Sequence, residues 1–456
     1  MRSKSNMLTG SPFKALLLFA LPMVLGNLFQ SLYNIVDSII VGKFVGQSAL
    51  AATGSTSTII NVYIAIALGL GTGCMIIFSQ LFGARIYARM RTAMNTCMIF
   101  LGLLSIVAVA VGLGTMGLLL PTIVNDAIYD EAQTYYFIYV LSFPALFVYN
   151  AASAVFNSLG KSKYILYLLG GSSILNVVLD LWFVLGFKWG VAGAAIATDI
   201  SQYLVAVIGV VWALSHLKKN YRTEDKVAAF DGKLLVNMLK VAVPSMLAQV
   251  VVSVGYMVLM GFVNNYSVDV ISGYVAAFKL DSLCSIPMVQ VGNAMATFAG
   301  QNVGAKQYDR VPKGIKSGAI MCAVIWVVFA AVVWLFGHGL IGLFMDSSAS
   351  EAAYTAGIQY MKIMSSLYIL LGLMYIYAAT LRGTGDYLVS VIAVTCNFGG
   401  RCIFAWIFAG LINGYIPGSE LWIWWSNPLG WAIAIVICFL RFRTGIWRTK
   451  RLADKV

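Results

Sequence analysis

The sequence predicts an all-α polytopic membrane protein with about twelve transmembrane helices in two pseudo-symmetric six-helix lobes. Three observations carry this. First, the 456 residues are 60% hydrophobic and only 10% charged, with a mean hydropathy of +0.86; soluble domains are roughly half apolar and a quarter charged. Second, the apolar residues gather into long segments separated by short polar ones. Third, short motifs of the first half return in order in the second.

The apolar segments run over 13–41, 48–78, 92–120, 132–156, 164–186, 191–214, 234–263, 268–299, 315–336, 352–381, 387–411 and 421–440. Each reaches the roughly 20 residues that cross a bilayer. Many are longer, which implies tilt or kinks. The first holds Asn27, Gln30, Asn34 and Asp37 and lacks a small-residue cleavage site, so it reads as a retained span, not a signal peptide. Pro22 lies upstream of Asp37 and removes a helix hydrogen bond, making it a candidate flexion point.

The net charge of +13 is a matter of topology. Basic residues gather in alternate connections: Arg2, Lys4 and Lys14; Arg85, Arg89 and Arg91; Lys161 and Lys163; Lys218, Lys219, Arg222 and Lys226; Lys306, Arg310, Lys313 and Lys316; Arg382; and the tail from Arg441 to Arg451. The opposite connections offer Lys43 and Lys188, with Asp126, Asp130, Glu131, Asp346, Glu351 and Glu420. The positive-inside rule then places both termini in the cytoplasm, as expected for a multi-pass protein of a prokaryotic inner membrane. It argues against a nucleic-acid partner. Trp422, Trp424 and Trp425 are expected at the outer interface and Trp447 at the inner one.

Enzymatic readings find little to work with. The seven cysteines all fall in apolar segments without a CxxC pair, and the two histidines, His216 and His338, sit at membrane boundaries. No metal cluster or cofactor motif is present in that pattern, and the glycines of the second segment are not followed by a phosphate-binding lysine.

The halves align closely. Ala20-Leu21-Pro22 matches Ala242-Val243-Pro244. The stretch from Ser79 to Arg85 matches that from Gly300 to Lys306. The stretch from Asn157 to Lys161 matches that from Arg382 to Asp386, and Asn176 aligns with Asn397. Four matches in order indicate parallel six-span repeats, an arrangement that places a substrate path between two lobes. The domains are accordingly an N-terminal six-helix lobe over 1–216, a cytoplasmic linker over 217–232, a C-terminal six-helix lobe over 233–441 and a basic cytoplasmic tail over 442–456.

On these residues the chain resembles the MATE (multidrug and toxic compound extrusion) family, and within it the DinF/MepA-like branch. The resemblance spans essentially the whole chain. It rests on Pro22 with Asp37, Gln80-Leu81-Phe82-Gly83-Ala84, Gly160-Lys161-Ser162, the stretches from Asn176 to Asp180 and from Gly190 to Thr198, and the stretch from Gly300 to Lys306. It implies a two-lobed, monomeric antiporter of the MATE/MOP-type fold. Such an antiporter exports organic, often cationic, compounds in exchange for H+ or Na+, with no other cofactor.

The buried polar residues of the first lobe converge on one depth. With odd-numbered spans running outward, Asp37, Asp180 and Thr198 fall in outer halves, Asn150 lies deeper, and Asn176 is one turn from Asp180 on the same face. Carboxylates inside a bilayer are expensive and functional by default. Two held together in low dielectric cannot both stay charged without a partner. The same oxygens suit a proton or Na+. The resemblance implies an ion site made of Asp37, Asn150, Asn176, Asp180 and Thr198. Tyr33, Asn34, Tyr135 and Asp199 are further candidates for the site or cavity. The alternative for each is a structural hydrogen bond between helices.

The second lobe has no acid matching Asp37. Its seventh span carries Gln249 and Tyr256, its eighth Lys279 and Asp281, and its eleventh Arg401, which aligns with Asp180. Asp281 is expected to pair with Arg401 across helices, or to face the cavity and help bind a cationic substrate. The competing functional reading is a lipid or lipid-linked oligosaccharide flippase of the same superfamily.

Overall fold

The computed structural model describes residues 7–345, 350–408 and 420–454, which are helical apart from short turns and connections. Arg2, Lys4 and Asp346 lie outside the described residues. The helices are α1 (Pro12–Ile40), α2 (Gln47–Gly83), α3 (Tyr87–Ile123), α4 (Tyr129–Leu141), α5 (Phe143–Ser158), α6 (Ser162–Asp180), α7 (Gly190–Asn220), α8 (Gly232–Val263), α9 (Val268–Gly304), α10 (Arg310–Gly342), α11 (Glu351–Thr384), α12 (Tyr387–Ile407), α13 (Glu420–Trp424) and α14 (Ser426–Arg443). Ten spans are long and apolar enough to cross a membrane, and α4 with α5, bent by 44° at Ser142, makes an eleventh. The remaining long helix, α9, carries Lys279, Asp281, Gln290 and Asn293 and is not among these spans, so the described residues give ten or eleven against the expected twelve or so. The chain is a multi-pass membrane protein.

The repeat recurs at the level of turns. After α2, Arg85 takes a left-handed φ of 61°, and after α9 its counterpart Lys306 takes 60°. The closing bonds match as well: Ile86 N–H donates to Leu81 C=O at 3.1 Å, and Gln307 N–H to Asn302 C=O at 2.8 Å. These bonds satisfy carbonyls that a helix end leaves unpaired.

By compactness the described chain divides into two units. One is built on Pro22–Gln249 and the other on Val250–Asp454, to which the start of α1 up to Leu21 belongs. Within the first, Gly69 and Gly73 of α2 lie against the backbone of Met246 and Ala242 on α8. The linker is tied to α3: Ala228 N–H donates to Thr92 Oγ1 at 3.2 Å and Asp231 N–H to Thr96 Oγ1 at 3.0 Å. Asp231 Oδ1 then accepts from Leu234 N–H at the start of α8. Within the second unit, Gly383 of α11 lies against the Ala296 backbone of α9. Small residues at crossings let spanning helices approach this closely. Asn302 and Arg310 hold the segment before α1 by donating to the carbonyls of Met7 and Gly10.

Two of the expected interfacial tryptophans are also packing residues. Trp424 stacks on Tyr274 with ring centroids 5.1 Å apart, and Trp447 stacks on Phe442 at 5.2 Å. Both are buried, because neighbouring rings offer them a flat apolar partner, whereas Trp422 and Trp425 are exposed.

Candidate ion site

Two helix ends build the site in the first unit. Asp37 lies one turn before α1 widens into a π-helical segment, Val41–Val45; Asp180 is the last residue of α6 before the π-helical Leu181–Gly186. The two π segments touch each other and the start of α7. Such widened turns shift the hydrogen-bond ladder locally and recur at functional sites. An aromatic collar made by Trp182, Phe183, Phe187 and Trp189 packs around the second one, with ring centroids 5.1–6.1 Å apart. Gly193 passes close to the Phe183 backbone, so α7 can approach that turn.

The carboxyl groups of Asp37 and Asp180 lie within hydrogen-bonding reach of each other. Asp180 is fully buried, and Asp37 is half-buried with its Oδ1 covered. Four covered acceptors find no donor here: Asp37 Oδ1, both Asp180 oxygens and Asn176 Oδ1. Asn176 Nδ2 donates to Thr198 Oγ1 on α7 at 3.3 Å, which turns the amide oxygen of Asn176 away from that bond. An unpaired buried acceptor costs about 1–3 kcal/mol. A cluster of four such acceptors is unfavourable until something donates to it or neutralises it.

Phenols surround the pair. Tyr33 and Tyr135 lie within electrostatic range of both carboxyls. Tyr139 was not among the sequence candidates. Its ring lies 5.8 Å from that of Tyr135, and its hydroxyl accepts from Gln202 Nε2 at 3.3 Å. Tyr139 lies within range of both Asp37 and Asp199, so Asp199 adjoins the cluster through it. The signal for both missed residues was present: Tyr139 is four residues after Tyr135, and Gln202 four after Thr198, hence on the same faces.

Two candidates take other partners. Asn150 donates to Leu146 C=O of its own helix at 2.8 Å and packs against Gly71 of α2. Asn34 is exposed on α1, where its carbonyl accepts from Ser38 Oγ.

The second unit holds a separate polar group. Asp281 accepts from Tyr360 Oη at 3.3 Å and from Tyr368 Oη, both on α11. Arg401 is buried against two rings, its guanidinium carbon 5.1 Å from the Tyr256 centroid and 4.6 Å from that of Phe398. No ion pair joins Asp281 to Arg401 among the described residues, correcting the cross-helix pair expected from the sequence; the ion pairs formed there are Arg441 with Asp386, Arg448 with Asp309 and Arg451 with Asp454. The tyrosine hydroxyls already solvate the acid, and the rings already hold the cation. Gln249 is half-buried on α8.

A family model described as MatE matches residues 22–182 and 244–407. The chain belongs to the MatE family. One matched stretch falls in each half of the chain, and the first contains Asp37, Asn176 and Asp180. Over 444 residues this MatE chain is 29% identical to the probable multidrug resistance protein YpnP of Bacillus subtilis, covering 97% of each. It is 23% identical over 384 residues to the multidrug export protein MepA of Staphylococcus aureus, covering 82% of each. Its fold is similar to that of an outward-facing multidrug resistance MATE family transporter of the MOP superfamily, with a TM-score of 0.89 at 22% identity, covering 98% of this chain and 100% of that one. A MOP superfamily transporter from Pyrococcus furiosus, described as having a binding pocket of reverse polarity, gives the same TM-score.

Proposed function

We propose that this MatE protein is a secondary active multidrug antiporter. It exports organic, lipophilic cationic compounds in exchange for H+ or Na+ by alternating access, as a monomer in the cytoplasmic membrane with both termini inside. The carrying observation is the Asp37–Asp180 pair with its unpaired acceptors on α1 and α6. The names of its relatives, as multidrug resistance and export proteins, support the substrate class.

The coupling follows from charge. With no cation, two carboxyls in contact repel; a proton or Na+ between them removes the repulsion and draws the ends of α1 and α6 together. A ligand shifts a conformational equilibrium only by its differential affinity for the two states. Here the differential lies in whether the oxygens of Asp37 and Asp180 converge. Tyr33 and Tyr135 bound the site, and Asn176 and Thr198 fix its amide and hydroxyl oxygens. The chemistry is transport, not bond making.

The test is efflux of ethidium from proteoliposomes under separately imposed pH and Na+ gradients. Acceleration by at least one gradient is expected. A response to neither would reject antiport and favour the flippase reading.

A further inference from the structure

Beside the bend at Ser142 the first unit has a groove whose one charged lining residue, Asp199, adjoins the ion cluster through Tyr139. Its volume is about 570 Å3, and Ile138 and Leu141 of α4 wall it with Ile196, Ile200 and Leu204 of α7. This lies in the size range of pockets for drug-sized ligands. Leu141, Ile200, Tyr203 and Leu204 are exposed at its rim. Exposed apolar side chains on spanning helices face acyl chains, so the groove opens to the bilayer.

Asp199 is the sole charged residue lining it. An acid facing lipid is costly and needs a partner, yet Asp199 Oδ1 is covered and has no donor. The nearby Ser142 hydroxyl already donates to Tyr139 C=O at 2.7 Å, and the Tyr203 hydroxyl to Leu141 C=O at 2.7 Å. Ser142 is also within hydrogen-bonding reach of Asp199, whereas the Tyr203 proton is committed to the bend, so the acid has one hydroxyl partner and its Oδ1 is left without a donor. The groove thus combines an apolar slot, a buried acceptor and no basic residue.

We propose that this groove binds an amphiphilic organic ammonium entering from the bilayer, with the cation on Asp199 and the apolar body along α4 and α7. Charge argues against a phospholipid, because a phosphate would meet no cationic partner among the lining residues. The proposal goes beyond the antiport reading and stands on the groove alone.

The experiment is photolabelling of the whole protein in nanodiscs with dodecyltrimethylammonium carrying a diazirine on its chain, alongside the chain-matched neutral alcohol. The expected result is labelling by the ammonium probe on α4 and α7 around the groove, reduced about tenfold by Asp199→Asn, the scale of one lost charge-assisted contact. Labelling by the neutral probe stays unchanged in that variant. Leu204→Trp, which fills the rim and keeps the acid, reduces labelling by both probes. Equal ammonium labelling of wild type and Asp199→Asn would overturn the proposal, leaving a seat for acyl chains. Displacement of the probe by excess phosphatidylethanolamine would overturn the argument against phospholipid. Asp37→Asn separates the two readings: loss of efflux with intact groove labelling is expected there. Failure of the groove leaves antiport standing, and failure of antiport leaves the groove.

Discussion

The carboxyls of Asp37 and Asp180 face each other within hydrogen-bonding reach, and the covered oxygens around them find no donor. If both carboxyls were ionised they would repel each other at the point where each helix widens into a π-helical segment. On the proposed function, stability and transport then oppose each other in this site.

Asp180→Asn supplies an amide donor to Asp37 in nearly the same volume. The unfolding midpoint of the purified variant in detergent should equal or exceed that of wild type, while its efflux is lost. A variant that unfolds clearly earlier would mean that the acid is a structural element.

Thr198→Val removes the acceptor of the Asn176 amide. Interhelical hydrogen bonds of this kind average only ~0.6 kcal/mol in spanning helices, so the midpoint should barely move. The apparent affinity for the coupling ion, read from the ion dependence of efflux, should fall several-fold. Unchanged ion dependence would show that Asn176 and Thr198 only pack helices.

Tyr368→Phe and Arg401→Lys address the second unit. The first leaves Asp281 short of a donor and should cost about 1–3 kcal/mol. The second loses the planar stack on Tyr256 and Phe398, which an ammonium reproduces poorly. Thermal unfolding should shift downward for both, with gradient-driven efflux retained by the fraction that stays folded. Selective loss of efflux at a wild-type midpoint would assign this cluster to substrate binding.

Gly73→Val would place a branched side chain against the Ala242 backbone. Overpacking of this type costs about 1–3 kcal/mol. Folded yield by size-exclusion chromatography should drop, whereas Gly114→Val, at a glycine with open space around it, should leave it unchanged.

Much of this architecture was legible in the sequence. Segment length and hydropathy gave the spans, and the matching stretches ending in Arg85 and Lys306 foretold two turns with the same backbone geometry. The proximity of Asp37 to Asp180, and of Asn176 to Thr198, followed from depth and from the need of polar groups in hydrocarbon to meet. The π-helical segments were not legible, since one extra residue in a turn leaves no pattern in composition. Side-chain choices between partners were equally hidden. Asn150 turns to its own Leu146 carbonyl, and Asp281 takes two tyrosines in place of Arg401. In each case several partners lie within reach, and local packing selects among them.

The most direct test of the central claim is ion movement itself. In proteoliposomes loaded with a pH- or Na+-sensitive dye and held without a gradient, adding ethidium outside should drive ion flux through the wild type. The same addition should give no flux through Asp37→Asn or Asp180→Asn, although both still bind ethidium. Wild-type flux through either variant would contradict the assignment of the coupling ion to the Asp37–Asp180 pair.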